Sequence, residues 1–420
     1  MAVAHTTTPF ITIYSRAVDV FTKLADPATL PTGQATGVAF SRATDTYMAV
    51  SHDVSPRVTI YKQTAGVFAK LANPTTLPTG TGYGVAFDPT DTYLAVAHAV
   101  SPFITIYKRA GDVFTKLANP ATLPPGAGYG VSFDSTGTYL TVSHLNTPSV
   151  TTYKRSGDVF TKLITLPAGT GNGTAFSRAT SDYMAVAHSV TPFITIYKRA
   201  LDVFTKLTDP VTLPTGTGYG VAFDPTDTYL AVAHAVSPFI TIYKRAGDVF
   251  TKLANPATLP TATATGVSFD STGVYLTVSH PNTPRVTAYK RAGDVFTKLA
   301  DPTIIPSGDG YGVSFDPSST YMAVAHDTTQ TFGTTDVETL ATNKLTLAQY
   351  ISSDAKTYTR VLNIAGDVIT SNESSVVPIA GVLERLELLT GTTRCVLAYQ
   401  DIGFSTRQLF VVSETAGLLT

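Results

Sequence analysis

Eight histidines recur at one phase of the chain, His5, His52, His98, His144, His188, His234, His280 and His326, spaced 44 to 47 residues apart. Imidazoles at regular intervals could ligate a metal or relay protons near neutral pH. A metal, however, needs ligands that converge on one ion within bonds of about 2.0–2.3 Å. Side chains from repeats fanned around a ring diverge instead, and a residue used in every repeat is architecture. The expected role of His52, His98, His144, His188, His234, His280 and His326 is therefore structural, each bonding to a loop within its own repeat.

A second acidic series, Asp88, Asp91, Asp134, Asp224, Asp227, Asp270 and Asp316, lies in segments such as FDPTDTY and FDSTGTY. These lack the ligand density of a calcium loop. Asp and Pro at those positions favour a type I turn. Sequences for a nucleophile elbow, a zinc-protease helix or a Walker loop are absent. The glycines of PTGTGYG precede a strand, so a helix terminus for phosphate is not expected there. Glu is absent before residue 338, so only the Asp turns, on separate blades, could supply the paired carboxylates of glycoside hydrolysis. No catalytic residue, cofactor site or metal site is assigned, and the chain is not expected to be an enzyme.

The repeats differ most just before the segment GVAF. The aligned residues there are Thr36, Tyr83, Tyr129, Asn172, Tyr219, Thr265 and Tyr311. Tyr offers large amphipathic contact area at low entropic cost. Tyr83, Tyr129, Asn172, Tyr219 and Tyr311 are the expected ligand- or partner-binding set, on a rim near a central channel.

These residues must be positioned by the repeat. Glycines at 37, 84, 130, 173, 220, 266 and 312 mark a unit of about 46 residues, in the range of propeller blades. One unit, Gly84 to Leu117, reads GVAFDPTDTYLAVAHAVSPFITIYKRAGDVFTKL. It divides into strands GVAF, TYLAVAH, FITIYKR and VFTKL, separated by turn residues. Residues 81–124 and 217–260 are identical, so three repeats form a duplicated block, and one more repeat follows. The expected fold is all-β: a seven-bladed β-propeller of four-stranded antiparallel blades over 1–326, followed by a small mainly-β C-terminal domain. Strand two occurs eight times and the other strands seven. Closure is expected to join 312–326 to 10–24, leaving Ala2–His5 surplus or in competition with 321–326; a swap of the end strand between subunits is the other option. Residues 327–344 read as a linker. Residues 345–420 read as a β-rich anchoring or oligomerisation domain, opening on a short helical turn at 345–353.

Composition narrows the function classes. Charged residues are 14% and the net charge is −1, so the basic footprint of a nucleic-acid binder is missing. The one cysteine, Cys395, cannot form an internal disulfide or a cysteine-rich zinc site. No apolar run reaches the length of a membrane helix, and no membrane insertion or secretory signal is expected.

The unit resembles WD40-like and YVTN-like seven-bladed propeller repeats. More narrowly it is similar to repeat proteins encoded by tailed bacteriophages, in which AVAH, ITIYKR and FTKL recur in this order. The resemblance covers about 1–326. It implies a virion structural protein assembled in the host cytoplasm. Its propeller would face outward, toward a host cell-surface glycan or receptor or neighbouring virion proteins. Residues 327–420 would attach it to the particle, and a homo-oligomer is expected. A propeller enzyme acting on a glycan or lactone, and a cellular interaction scaffold, are the alternatives.

Overall fold

Each repeat folds into four strands because its apolar runs are short and its turns are fixed by Asp, Pro and Gly. The computed structural model describes residues 9–326, except 145, 147–148 and 164–170, and beyond 348 the backbone of the strands given below. In the second blade, Gly82–Phe87, Tyr93–His98, Ile104–Ala110 and Val113–Lys116 form one antiparallel sheet in sequence order. Seven such sheets close into a ring. Blades 1 to 6 span 35–70, 82–116, 128–162, 171–206, 218–252 and 266–298. This is an all-β, seven-bladed propeller.

Blade 7 is built from both ends of the repeat region. Its sheet order is Gly310–Phe315, Tyr321–His326, Ile11–Ala17, Val20–Lys23. Ile11 lies opposite Ala325 and Ser15 opposite Tyr321. The Arg16 N–H donates to Thr320 O at 2.7 Å, and the His326 N–H donates to Phe10 O at 3.0 Å. His5, and with it Ala2–His5, lies outside the described residues.

The cores lie between blades. All six residues of Tyr93–His98 are buried. Tyr93, Ala95 and Ala97 face the next blade, where they meet Phe133, Leu140 and Val142. Leu94 and Val96 face the preceding one, against Ala49, Val58 and Ile60. Small residues thus oppose large ones across each interface, which fills the space between sheets at high density. A blade alone would expose both faces.

The innermost strands approach closely at glycine. A Cβ on Gly84 would sit 2.5 Å from Tyr129 O and 3.1 Å from the Gly130 Cα. The contact runs from blade to blade until Gly312 meets the Gly37 Cα. Gly84→Ala is expected to push blades 2 and 3 apart, costing about 2 kcal/mol as an overpacked contact. Urea denaturation checks this; an unchanged midpoint would mean that the ring tolerates expansion at its axis.

The strands after residue 348 form two further sheets. One pairs Gln349–Ile351, Thr357–Ala365 and Val368–Ile379; the other pairs Val382–Leu388, Arg394–Gln400, Arg407–Thr415 and Leu418–Leu419. Residues 349–351 are a strand paired with 357–359, not the helical turn expected from LTLAQYISS; Tyr and Ile suit an extended ladder. The proposed linker 327–344 lies outside the described residues.

Candidate functional site

The residues before GVAF stand out of the ladder because of a bulge. Gly82 pairs with His98 and Gly84 with Ala97, which leaves Tyr83 without an opposite residue. The same shift occurs at Ala35/Gly37, Gly128/Val131, Gly171/Gly173, Gly218/Gly220 and Gly310/Gly312. A bulge re-aims the side chain it frees. Here it places Tyr83, Tyr129, Tyr219 and Tyr311 at the end of the channel where strand two finishes.

The set then divides by chemistry. Tyr83 and Tyr129 stack, with ring centroids 4.7 Å apart and planes at 16°. Tyr219 and Tyr311 are 38% and 39% exposed. The polar members instead tie blades together. Thr36 Oγ1 donates to Gly82 O at 2.5 Å, Thr265 Oγ1 to Gly310 O at 2.6 Å, and Asn172 Nδ2 to Gly218 O at 2.8 Å. Asn172, expected in the binding set, thus spends its amide on the next blade.

The channel beneath is a cavity of about 180 Å³, lined at each blade by a glycine and the following residue, such as Gly84 with Val85 and Gly173 with Thr174. Exposed Val54, Val100, Val190 and Val236 surround the crown on the strand two to three turns. The opposite end is built from charge. There Lys62 pairs with Asp112 at 2.9 Å, Tyr47 OH donates to Asp112 at 2.7 Å, and the Arg109 guanidinium lies 4.7 Å over the Tyr47 ring. These bonds from Lys62 and Tyr47 hold the Asp112 carboxyl below its ordinary range. The cluster recurs at Tyr93, Tyr139, Tyr183, Tyr229 and Tyr275.

The histidines do not converge. His98 Nε2 lies 2.9 Å from Thr105 Oγ1, seven residues on in the same blade. The same bond joins His52 to Thr59, His144 to Thr151, His188 to Thr195, His234 to Thr241 and His280 to Thr287. In blade 7 the partners are His326 and Thr12, at 3.0 Å. Burial pushes the His98 imidazole down to about 4. Among the described residues no group of three or more His, Cys, Asp or Glu is arranged to hold a metal ion.

The aspartates hold turns, as in blade 2, where Asp88 accepts the Tyr93 N–H at 2.7 Å and the Thr90 hydroxyl at 2.6 Å. Asp91 and Asp227 do something the sequence reading missed. Asp91 accepts the backbone N–H groups of Arg42, Ala43 and Thr44 in blade 1. Arg42 Nη1 in turn donates to Phe133 O and Asp134 O of blade 3, at 3.2 and 3.3 Å. Asp227 and Arg178 repeat this across blades 4, 5 and 6. The signal was present: repeats 1 and 4 read FSRAT where the others read FDPT, FDST or FDPS.

Fold and site together define a propeller with tyrosines at one mouth of its channel and Tyr–Lys–Asp clusters between blades at the other end. No protein-family model and no curated protein matches the chain. Solved structures do. The WD40 repeats of RRP9 align with a TM-score of 0.56 at 11% identity, covering 77% of this chain and 92% of that one. A proposed 6-phosphogluconolactonase from Bacteroides fragilis aligns at 0.55 and 10%, covering 70% and 94%. A Lactobacillus plantarum protein aligns at 0.55 and 17%, covering 71% and 97%. At these identities the likeness is one of fold, a WD40-like propeller.

Proposed function

We propose that this propeller is a rigid binding module whose tyrosine-bearing end docks a protein partner. The observation that carries this reading is the exposure of tyrosines at one mouth of the channel. Charged side chains at one end are consumed in pairs between blades. At the other, Tyr219 and Tyr311 present 38% and 39% of their surface to solvent. Aromatic anchors with a polar rim around them are what protein interfaces use at their centres. The neighbouring WD40 repeats of RRP9 share this architecture.

The finer setting is a virion, where the propeller would contact host surface or neighbouring virion proteins and residues 327–420 would attach it. That setting rests on the resemblance of the repeat. Hydrolysis of a glycan or lactone is the weaker reading, because the channel lining supplies Gly, Val, Thr and Tyr side chains and no carboxylate to act as acid or base.

The test is a paired variant, Tyr219→Ala with Tyr311→Ala. Both side chains are half-exposed, so stability is expected to stay within about 1 kcal/mol. Affinity for a partner identified with the unaltered protein is expected to fall tenfold or more, as for loss of interface anchors. Unchanged affinity would move the interface off this end. Immunogold labelling of particles and cells separates the settings: gold at fixed positions on virions supports the virion, and gold confined to cell interiors removes it in favour of a cellular scaffold.

A further inference from the structure

Two arginines from different blades end at the same mouth of the channel. Arg42 and Arg178 hold the same place in the two copies of the three-blade block, in the FSRAT segments. Each side chain passes the neighbouring blade and bonds the end of an innermost strand. Arg42 Nη1 donates to Phe133 O, at the end of Gly128–Phe133, and Arg178 Nη1 to Phe269 O, at the end of Gly266–Phe269, both at 3.2 Å. These strands line the channel through Gly130, Val131, Gly266 and Val267. The guanidiniums therefore reach the channel rim from two sides, at the end opposite the tyrosines.

The Arg42 head answers to Arg178 more than to any one acid. Burial acts against the charge of both arginines. At Arg42 the next largest influence is the charge of Arg178, ahead of Asp134, Asp88 and Asp91 taken singly. The carboxylates of the turns are engaged within them. Asp134 accepts the Tyr139 N–H at 2.9 Å and the Thr136 hydroxyl at 2.6 Å. Asp270 accepts the Tyr275 N–H at 3.0 Å and the Thr272 hydroxyl at 2.6 Å. Among the described residues, arginine ion pairs are made by Arg16 and Arg285, and by neither Arg42 nor Arg178. Donors are also left over. A guanidinium carries five N–H groups. Nη1 spends its own on carbonyls, Phe133 O and Asp134 O for Arg42, and Phe269 O and Asp270 O for Arg178. Nε and Nη2 of both side chains have no acceptor among the described residues.

We infer that Arg42 and Arg178 together form a binding site for a tetrahedral oxyanion of the phosphate type, at the channel mouth opposite the tyrosines. The parallel N–H donors of a guanidinium fit two oxygens of one oxyanion. Nε and Nη2 are the edge of the fork that each arginine has left for this. An anion between the heads turns their mutual repulsion into two attractions. Both residues are half-buried, so solvent reaches the site while salt screens it less than an open surface. Arg42 belongs to the clasp of blades 1 to 3 and Arg178 to that of blades 4 to 6. Occupancy would therefore tie the two blocks to each other. The site is separate from the tyrosine end and stands whether or not that end docks a partner.

The test is a calorimetric titration of the full chain with sodium phosphate at pH 7 and constant ionic strength, with sodium chloride as the matched control. Saturable binding of one phosphate per chain is expected, and none of chloride. Arg42→Lys and Arg178→Lys keep the charge but lose the fork, and each is expected to weaken binding about tenfold. Lys62→Gln, which removes a cation from the same end of the ring, is expected to leave binding unchanged. Phenyl phosphate separates the sources of the anion. Affinity equal to that of inorganic phosphate makes the site a reader of phosphate carried on a larger molecule; binding of inorganic phosphate alone makes it a site for the free ion. Heats for phosphate that match those for chloride overturn the proposal, and this comparison needs no variant. So does saturable binding that both lysine variants leave intact, or that Lys62→Gln weakens as much as they do.

Discussion

Lowering the pH from 7 to 4 is expected to unfold the propeller. The cause is the ring of buried imidazoles. Burial pushes His52, His98, His144, His234 and His280 down to about 4 and lowers His188 as well. Their ordinary value is 6.5. Between those limits the unfolded chain binds protons that the folded chain refuses. Stability is therefore full above about pH 6.5 and falls as the pH drops toward 4. Each of these groups costs a few kcal/mol by pH 4, and several acting together weigh heavily against the stability of an ordinary domain. The carboxylates act in a different window. Asp112, Asp158, Asp202, Asp248 and Asp294 are held below their ordinary 3.8 by Lys and Tyr bonds, so their contribution is lost only at still lower pH. Melting curves at pH 7, 6, 5 and 4 separate the two. A steep, cooperative loss above pH 4 is expected, shallower in a His98→Gln variant. A melting temperature that is flat from pH 7 to 4.5 would contradict the buried-histidine account.

The blade was legible in the sequence because its signals are local. GVAF, TYLAVAH, FITIYKR and VFTKL each carry their own β-branched and aromatic residues, and DPTD and AGD carry their own turns. Counting strands was enough to expect that 312–326 would join 10–24, but not to choose between 321–326 and Ala2–His5 as the closing strand; the structure has 321–326 in that place. Recurrence suggested a structural role for the histidines with a loop as partner, whereas the Nε2 bonds run to a threonine on strand three, such as Thr105. What escaped reading depends on neighbours in space. Whether a residue at the channel rim is an anchor or a staple is decided by the carbonyl opposite it. Thr36, Asn172 and Thr265 reach Gly82, Gly218 and Gly310, residues about 45 positions away, and no local pattern announces that. The bulge that frees Tyr83 was equally hidden, because a shift of register is visible only when two strands are laid side by side.

Asp91→Ala is expected to be the most damaging single substitution at the turns of the ring. Asp91 is 1% exposed and sits at a φ of 57°, a backbone shape that Asp tolerates better than most residues. Its carboxylate accepts three backbone N–H groups of blade 1 and the Thr44 hydroxyl. Alanine would strip the acceptor from part-buried donors that water can reach only in part, at about 1–3 kcal/mol. The loss would not stop at one interface. The same turn carries Arg42, whose guanidinium reaches past blade 2 to Phe133 O and Asp134 O of blade 3. Blades 1, 2 and 3 are thereby clasped as a unit, and Asp227 with Arg178 clasps blades 4, 5 and 6. The two clasps share no residue, so Asp91→Ala and Asp227→Ala are expected to add in a double variant. Hydrogen exchange gives the sharper reading: Asp91→Ala is expected to raise exchange in 35–162 while 171–298 keeps its protection, and Asp227→Ala to do the reverse. The half-exposed Asp112 is the control, because its ion pair with Lys62 is open to solvent and screened. If Asp91→Ala destabilises no more than Asp112→Ala in urea, the clasp is decoration. If it loosens all seven blades equally, the three-blade blocks are one cooperative ring instead of two clasped units.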